Sequence, residues 1–401
     1  MNTTTQDTIH TAHSADIGLA PLVSKLPRVG TTIFTVMSAL ATEKKAVNLG
    51  QGFPDFACDP ALPDAVTKAM RDGLNQYPPM AGILPLREAI AKKIHTLYQC
   101  DYDAATEITV TAGGTQGVLT AVLCCVHPGD EVIVIEPAYD CYVPAIELAG
   151  GKPVFVQMEV GENGYSVPWK KVAAAITPKT RLLMINSPHN PTGSVLRKTD
   201  IRQLAAILRG TQILLLSDEV YEHMVYDDHR HESICRYPEL AARAFVVSSF
   251  GKTYHVTGWK VGFVAAPAML SAEFRRVHQF NVFTVNTPVQ YGLASYMEDP
   301  TPYLDLAPFY QSKRDLFRAG LANTRFKLLP SNGTYFQCVD YRAISDLPEA
   351  EFCTWLTTEV GVAAIPISAF YQEPRESGIV RFCYAKKDQT LLAALERLST
   401  L

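Results

Sequence analysis

The sequence lacks several features that would narrow its role at once. No run of about 18 apolar residues occurs, so no membrane-spanning helix is expected. There is no excess of positive charge: Lys plus Arg number 36 against 40 Asp plus Glu, a net charge of −4. That balance gives no electrostatic basis for a DNA or RNA partner, or for binding an anionic membrane surface. The 9 cysteines form no CxxC pair, and most of them, such as Cys124, Cys125, Cys338 and Cys383, sit inside apolar stretches. They read as reduced core residues of a cytoplasmic protein. Among the 10 histidines, His229 and His231 lie close together, but no second cluster completes a metal site. They read as part of a solvated loop, and no metal is expected. The first residues carry no basic segment followed by an apolar one, so no secretory signal is expected. Up to about Leu19 they are polar and aperiodic, which reads as a mobile tail.

What is present describes a globular chain. Of its 401 residues, 47% are apolar and 19% charged. At about 150 residues per domain, two or three domains are expected. The middle alternates β-branched runs with amphipathic ones. Residues 107–111, 131–136, 181–186, 212–217, 244–249 and 260–265 read as strands. Residues 115–127, 139–150 and 199–209 read as the helices between them. Strands apolar on both faces and spaced by helices imply an α/β fold, a mostly parallel sheet with helices on both faces. Beyond residue 271 the pattern turns helical over 273–280, 288–297 and 303–323. A smaller α+β unit follows, with strands at 333–340, 362–366 and 379–384 and helices at 350–360 and 388–398. A helix at 33–42 is expected to pack against it. The division read from this pattern is a flexible tail at 1–25, an N-terminal segment at 26–60 packing with the small domain, a large domain at 61–300 and a small domain at 301–401.

Open parallel sheets bind ligands beyond the carboxyl ends of their strands, so chemistry is sought there. The run LLLS ends in Asp218, an acid that is costly to bury unless something pairs with it or it caps the next turn. Lys252 follows a strand in a glycine-flanked loop; partly desolvated, it suits a Schiff-base amine, although an exposed loop lysine is the plainer reading. The string AGGTQG at 112–117 lies between a strand and a helix, where small residues let backbone N–H groups approach an anion. It matches neither the dinucleotide nor the P-loop pattern. Asn190 sits in a turn just past another strand. Arg381 lies inside an apolar strand, where a guanidinium needs a phosphate or carboxylate, either a ligand's or an internal Asp or Glu. A reactive lysine, an acid, a phosphate cup and a carboxylate clamp together suit a phosphorylated aldehyde cofactor acting on an amino acid.

SSFGKTYHVTGWKVG at 248–262 resembles the pyridoxal-phosphate attachment motif of the class I aminotransferases. NLGQGFPDF at 48–56, NQY at 75–77, the loop at 113–117, EPAYDCY at 136–142, HNPTG at 189–193 and SDEVYEH at 217–223 resemble the same family in the same order. SKLPRVGTTIFTVMSALA at 24–41 points, within it, to the branch of bacterial methionine, kynurenine and glutamine transaminases. The resemblance implies fold type I and pyridoxal 5'-phosphate. It implies that Lys252 bonds the cofactor aldehyde and that Asp218 pairs with the ring nitrogen. Asn190 and Tyr221 would bond the ring oxygen, and Tyr139 would stack on the ring face. Gly114, Thr115, Ser249 and Lys260 would hold the phosphate. Tyr77 would reach the phosphate of a second copy, making a homodimer with shared sites. Arg381, with Gly52 and Asn190, would bind the substrate carboxylate. Many relatives carry arginine where this chain has Lys260, and the lysine reads as a mark of that branch.

The implied reaction is a ping-pong transfer of an amino group to a 2-oxo acid, with Lys252 as base. Phe34 and Tyr139 suggest an apolar, aromatic wall suited to methionine or an aromatic amino acid. Two other readings share the fold: a cysteine-S-conjugate β-lyase, and a cofactor-sensing transcription factor. The latter needs a DNA-binding domain ahead of the matched region, where only about 25 polar residues stand here.

Overall fold

The apolar runs assemble into one sheet. A computed structural model describes residues 22–373 and 375–401, so most of the tail expected over 1–25 lies outside the described residues. The sheet has 7 strands: β1 (Ile108–Thr111), β2 (Glu131–Glu136), β3 (Lys152–Gln157), β4 (Thr180–Asn186), β5 (Leu214–Asp218), β6 (Ala244–Ser249) and β7 (Gly262–Ala265). Their order is β1–β7–β6–β5–β4–β2–β3. Strand β7 runs antiparallel to both neighbours, and the other pairings are parallel.

Successive side chains enter opposite apolar layers. Ile133, Ile135, Leu183, Ile185 and Leu215 join one core cluster. Val132, Val134, Leu182, Met184 and Leu216 join the other. Burial on both faces is why these strands lack polar alternation in the sequence. Helices cover both layers. The chain's helices include, in order, α1 (Ile33–Glu43), α2 (Gly114–Cys125), α3 (Tyr142–Leu148), α4 (Lys198–Leu208), α5 (Ala268–Asn281), α6 (Leu306–Leu321) and α7 (Asp388–Leu398), of which α2 to α5 lie against this sheet. Val118 and Val122 of α2, Ile146 of α3 and Phe274 of α5 fill one layer. Ile201 and Leu204 of α4 belong to the other.

A second sheet is antiparallel. It comprises β8 (Lys327–Leu328), β9 (Phe336–Asp340), β10 (Ile365–Pro366) and β11 (Ile379–Cys383), in the order β8–β9–β11–β10. The early chain packs beside it: Val47–Asn48 pairs in parallel with Val362–Ala363 as a separate two-stranded sheet, and Phe34 of α1 meets Phe370 edge-on at 5.7 Å.

Several expectations need adjustment. Strand β3 is not expected from the sequence, because Pro153 interrupts its pattern; it sits at the sheet edge, where proline is tolerated. The strand expected at 362–366 is two pieces that pair with different partners, Val47–Asn48 and β11. The expected helix at 303–323 begins as a separate turn, Thr301–Leu304, before α6. His231 is not part of a solvated loop. It is 8% exposed, and its Nε2 lies 2.8 Å from a Glu219 carboxylate oxygen. The cysteines are free thiols, with Cys125, Cys338 and Cys383 buried and Cys124 half-buried. Among the described residues no cluster suits a metal ion, and no helix is long and apolar enough to cross a membrane.

Candidate active site

The register of the large sheet gathers its polar strand ends at one point. Asp218 ends β5 and pairs in register with Asn186, which ends β4. The Asn186 amide donates to the Asp218 backbone carbonyl at 2.8 Å, and its carbonyl oxygen accepts from the Asn190 N–H at 2.8 Å. One strand end thereby positions both the acid and the turn that carries Asn190. The Asp218 carboxylate accepts from the Tyr142 hydroxyl at 2.7 Å and from the Val220 N–H at 3.2 Å. The expected turn cap is real, and it coexists with an open approach to the acid from the cavity. Burial raises the Asp218 pKa to about 6, although the Tyr142 bond opposes this.

Lys252 lies on the short turn Phe250–Thr253 beyond β6. It is not an exposed loop lysine. Its amine donates to the Gly52 carbonyl at 3.3 Å and to the Tyr335 hydroxyl at 3.1 Å. The Tyr335 hydroxyl in turn donates to the same Gly52 carbonyl at 2.6 Å. Burial lowers the Lys252 pKa to about 8, so the neutral amine is accessible near physiological pH.

The loop between β1 and α2 is built for close approach. Gly113 has φ 82° and precedes α2, whose N-terminus has no side-chain cap. First-turn N–H groups at such an end are free for an anion. A Cβ on Gly114 would stand 3.0 Å from Val220 Cγ1, and one on Gly113 would stand 3.2 Å from the Lys260 amine. Lys260 itself adopts a left-handed backbone with φ 54°, an uncommon conformation for a side chain of its size.

Arg381 lies in β11, 1% exposed. One guanidinium nitrogen donates to the Asn190 side-chain oxygen at 2.7 Å and the other to the Gly50 carbonyl at 3.0 Å. Its Nε has no hydrogen-bond partner among the described residues. Among them, no Asp or Glu forms an ion pair with it, so the internal-acid reading fails. Phe336, Phe370 and Phe34 surround the guanidinium, at 3.9, 5.1 and 5.4 Å from its central carbon to the ring centroids.

These groups share one cavity of about 320 Å³. Its lining includes Phe34, Gly52, Gly114, Thr115, Tyr139, Asn190, Asp218, Tyr221, Ser249, Lys252, Lys260 and Arg381. Tyr77 is the exception. It is 81% exposed, packs edge-on against Phe283 at 5.3 Å and does not line the cavity. Sequence reading misses Tyr142, Asn186 and Tyr335. The first stands inside EPAYDCY and the second just before HNPTG, so a motif flags their neighbourhood but not their contacts. Tyr335 carries no local signal, since its partners Lys252 and Gly52 are distant in sequence.

Comparison with known proteins agrees with this geometry. Residues 44–398 match the family model described as aminotransferase class I and II. The chain is 48% identical to methionine aminotransferase of Escherichia coli (strain K12), over 95% of this chain and 99% of that one. It is 41% identical to a probable N-succinyldiaminopimelate aminotransferase of Mycobacterium tuberculosis, over 94% and 98%. A solved Escherichia coli structure identified with a methionine aminotransferase function superposes with a TM-score of 0.93 at 48% identity, covering 95% of this chain and all of that one.

Proposed function

The chain belongs to the class I and II aminotransferases, and we propose that it uses pyridoxal 5'-phosphate to move the amino group of methionine, or of an aromatic amino acid, to a 2-oxo acid. The observation that carries this reading is the cavity that holds both the Lys252 amine and a buried Arg381 with which no acid among the described residues forms an ion pair. A buried guanidinium without an acidic partner is costly unless a ligand carboxylate supplies one. A substrate carboxylate there would lie in the same cavity as the lysine.

The residues also suit the cofactor. The uncapped start of α2 leaves first-turn N–H groups free for a phosphate, and Gly113, whose Cβ would meet the Lys260 amine at 3.2 Å, lets that amine lie beside them. Bound there, pyridoxal 5'-phosphate would supply an aldehyde to receive the amino group and a ring to hold the electron pair released at the substrate carbon. Gly114, Thr115, Ser249 and Lys260 would hold the phosphate. Asp218, anchored by Tyr142, would meet the ring nitrogen. Asn190 and Tyr221 would bond the ring oxygen, and Tyr139 would cover a ring face. Arg381, Gly52 and Asn190 would orient the substrate carboxylate, and Phe34 would contribute an apolar wall. Neutral Lys252 would take the proton from the substrate carbon and return it on the cofactor side.

We assign Tyr77 to the site of a second copy of the chain. Its exposure, beside exposed Phe283, supports a homodimer with shared active sites. We propose the division into residues 26–60, 61–300 and 301–401; the large sheet within 108–265 and the second sheet within 327–383 support it. Free thiols throughout suit a reducing, cytoplasmic setting.

The test is to mix cofactor-loaded protein with one amino acid at a time, without oxo acid, and to record the absorbance. Methionine is expected to convert the cofactor band faster than aspartate. Conversion by aspartate alone overturns the substrate assignment. Pyruvate and ammonia from a cysteine conjugate, with no band conversion by methionine, would favour a lyase.

A further inference from the structure

Tyr335 lies immediately before β9, in the part of the chain that contributes the second sheet, whereas Lys252 follows β6 of the first. Gly52 belongs to the early segment. The three meet at one point, the amine 3.1 Å from the Tyr335 oxygen and 3.3 Å from the Gly52 carbonyl oxygen. Tyr335 is fully buried, with its ring held edge-on by Tyr221 at 5.2 Å and by Phe336 at 4.9 Å. Its hydroxyl has already committed its proton to Gly52. The phenol oxygen therefore faces Lys252 as an acceptor. Burial raises the Tyr335 pKa far above its ordinary value, so the proton stays on the phenol throughout the working pH range.

We propose that Tyr335 is a positioning residue for the base: its oxygen and the Gly52 carbonyl form a cradle that receives the Lys252 ammonium when the lysine is off the cofactor. This rests on the reading of Lys252 as the proton-transferring amine. When that amine takes a proton from the substrate carbon, an N–H bond forms as the C–H bond breaks, and the electron pair of the C–H bond stays with the substrate. The new ammonium then needs acceptors in a site that burial makes hostile to charge. Two oxygens at hydrogen-bond distance meet that need and aim the amine. Giving the proton up again restores the neutral lysine, and Tyr335 neither gains nor loses a proton.

The test uses the full-length protein loaded with pyridoxamine phosphate, in which Lys252 is free. Acylation of Lys252 is followed against pH by mass spectrometry, in the parent and in Tyr335→Phe. Losing an acceptor from the ammonium should lower the midpoint by about one pH unit. In the same two proteins loaded instead with pyridoxal 5'-phosphate, the single-turnover rate with methionine should fall by about tenfold, with a larger isotope effect from α-deuterated methionine and unchanged half-saturation. Phenylalanine keeps the ring packing, and a melting curve checks the fold. A slower variant with an unchanged midpoint and isotope effect would make Tyr335 a packing residue and overturn the proposal. Lys252→Ala separates the two readings. If it keeps turnover, the assignment of the base fails. If it is inactive while Tyr335→Phe shifts neither readout, the cradle alone fails.

Discussion

Two buried cations show opposite design. Lys93 lies deep beside the large sheet, and its amine meets a Glu222 carboxylate oxygen at 2.5 Å. Glu222 also accepts from the Tyr98 and Ser248 hydroxyls, each at 2.5 Å. Burial opposes its ionisation, but Lys93 and then His223 hold its pKa well below the usual carboxylate range. That cluster satisfies itself. Arg381 is buried as deeply, yet among the described residues no acid forms an ion pair with it, and its guanidinium bonds an amide oxygen and a backbone carbonyl amid aromatic rings. Buried charge within a closed network is part of the fold; buried charge lacking its counter-ion is a place prepared for a ligand.

The sharpest way to break this contrast starts at the base. Lys252→Ala should reduce turnover by about 10³-fold or more while cofactor absorbance shows retained binding; steady-state kinetics and a spectrum decide it. The pH profile sharpens the same assignment. On the proposal that the neutral amine is the base, and with burial lowering its pKa to about 8, the rate of the methionine half-reaction should rise with pH and level off above that value. A flat profile would remove Lys252 as the titrating group.

The next largest effect tests Arg381. Arg381→Lys keeps the charge but loses the fork, so kcat/KM for methionine should fall by about 10²-fold, with the melting temperature little changed. Lys93→Met tests the other side. It leaves Glu222 buried and unpaired, so stability should fall by about 3–5 kcal/mol in a denaturant titration. The folded protein should keep most of its kcat/KM. If Arg381→Lys costs mainly stability, or Lys93→Met mainly catalysis, the contrast collapses. The smallest effect belongs to the phosphate cup. Gly114→Ala places a Cβ at 3.0 Å from Val220 Cγ1, and half-saturation by pyridoxal 5'-phosphate should rise by about tenfold in a fluorescence titration.

Much of this was readable from residue order. Two-sided burial makes β2, β4, β5 and β6 continuous apolar runs, and β4, β5 and β6 end in Asn186, Asp218 and Ser249 at the site. The chemistry is concentrated in short strings, so Lys252, Asp218 and Asn190 are visible locally. Strand β3 was hidden because Pro153 is compatible with an edge position that only the assembled sheet reveals. The burial of His231 has no local signal, because its partner carboxylate, on Glu219, comes from the turn after β5.

The sequence by itself determined which segments are buried, how they alternate, and which reactive side chains stand at their ends, because burial and turn chemistry are set by near neighbours. Only the tertiary structure decided the charge partners. It joined Arg381 to Asn190 and Gly50, gave Asp218 to Tyr142, and brought Tyr335 to Lys252. The Asp218 contact depends on the strand order within the large sheet, and the Arg381 and Tyr335 contacts on the relative placement of two sheets and an early segment. A hydrogen bond needs its atoms placed within a few tenths of an ångström, and no local pattern carries that information across the chain.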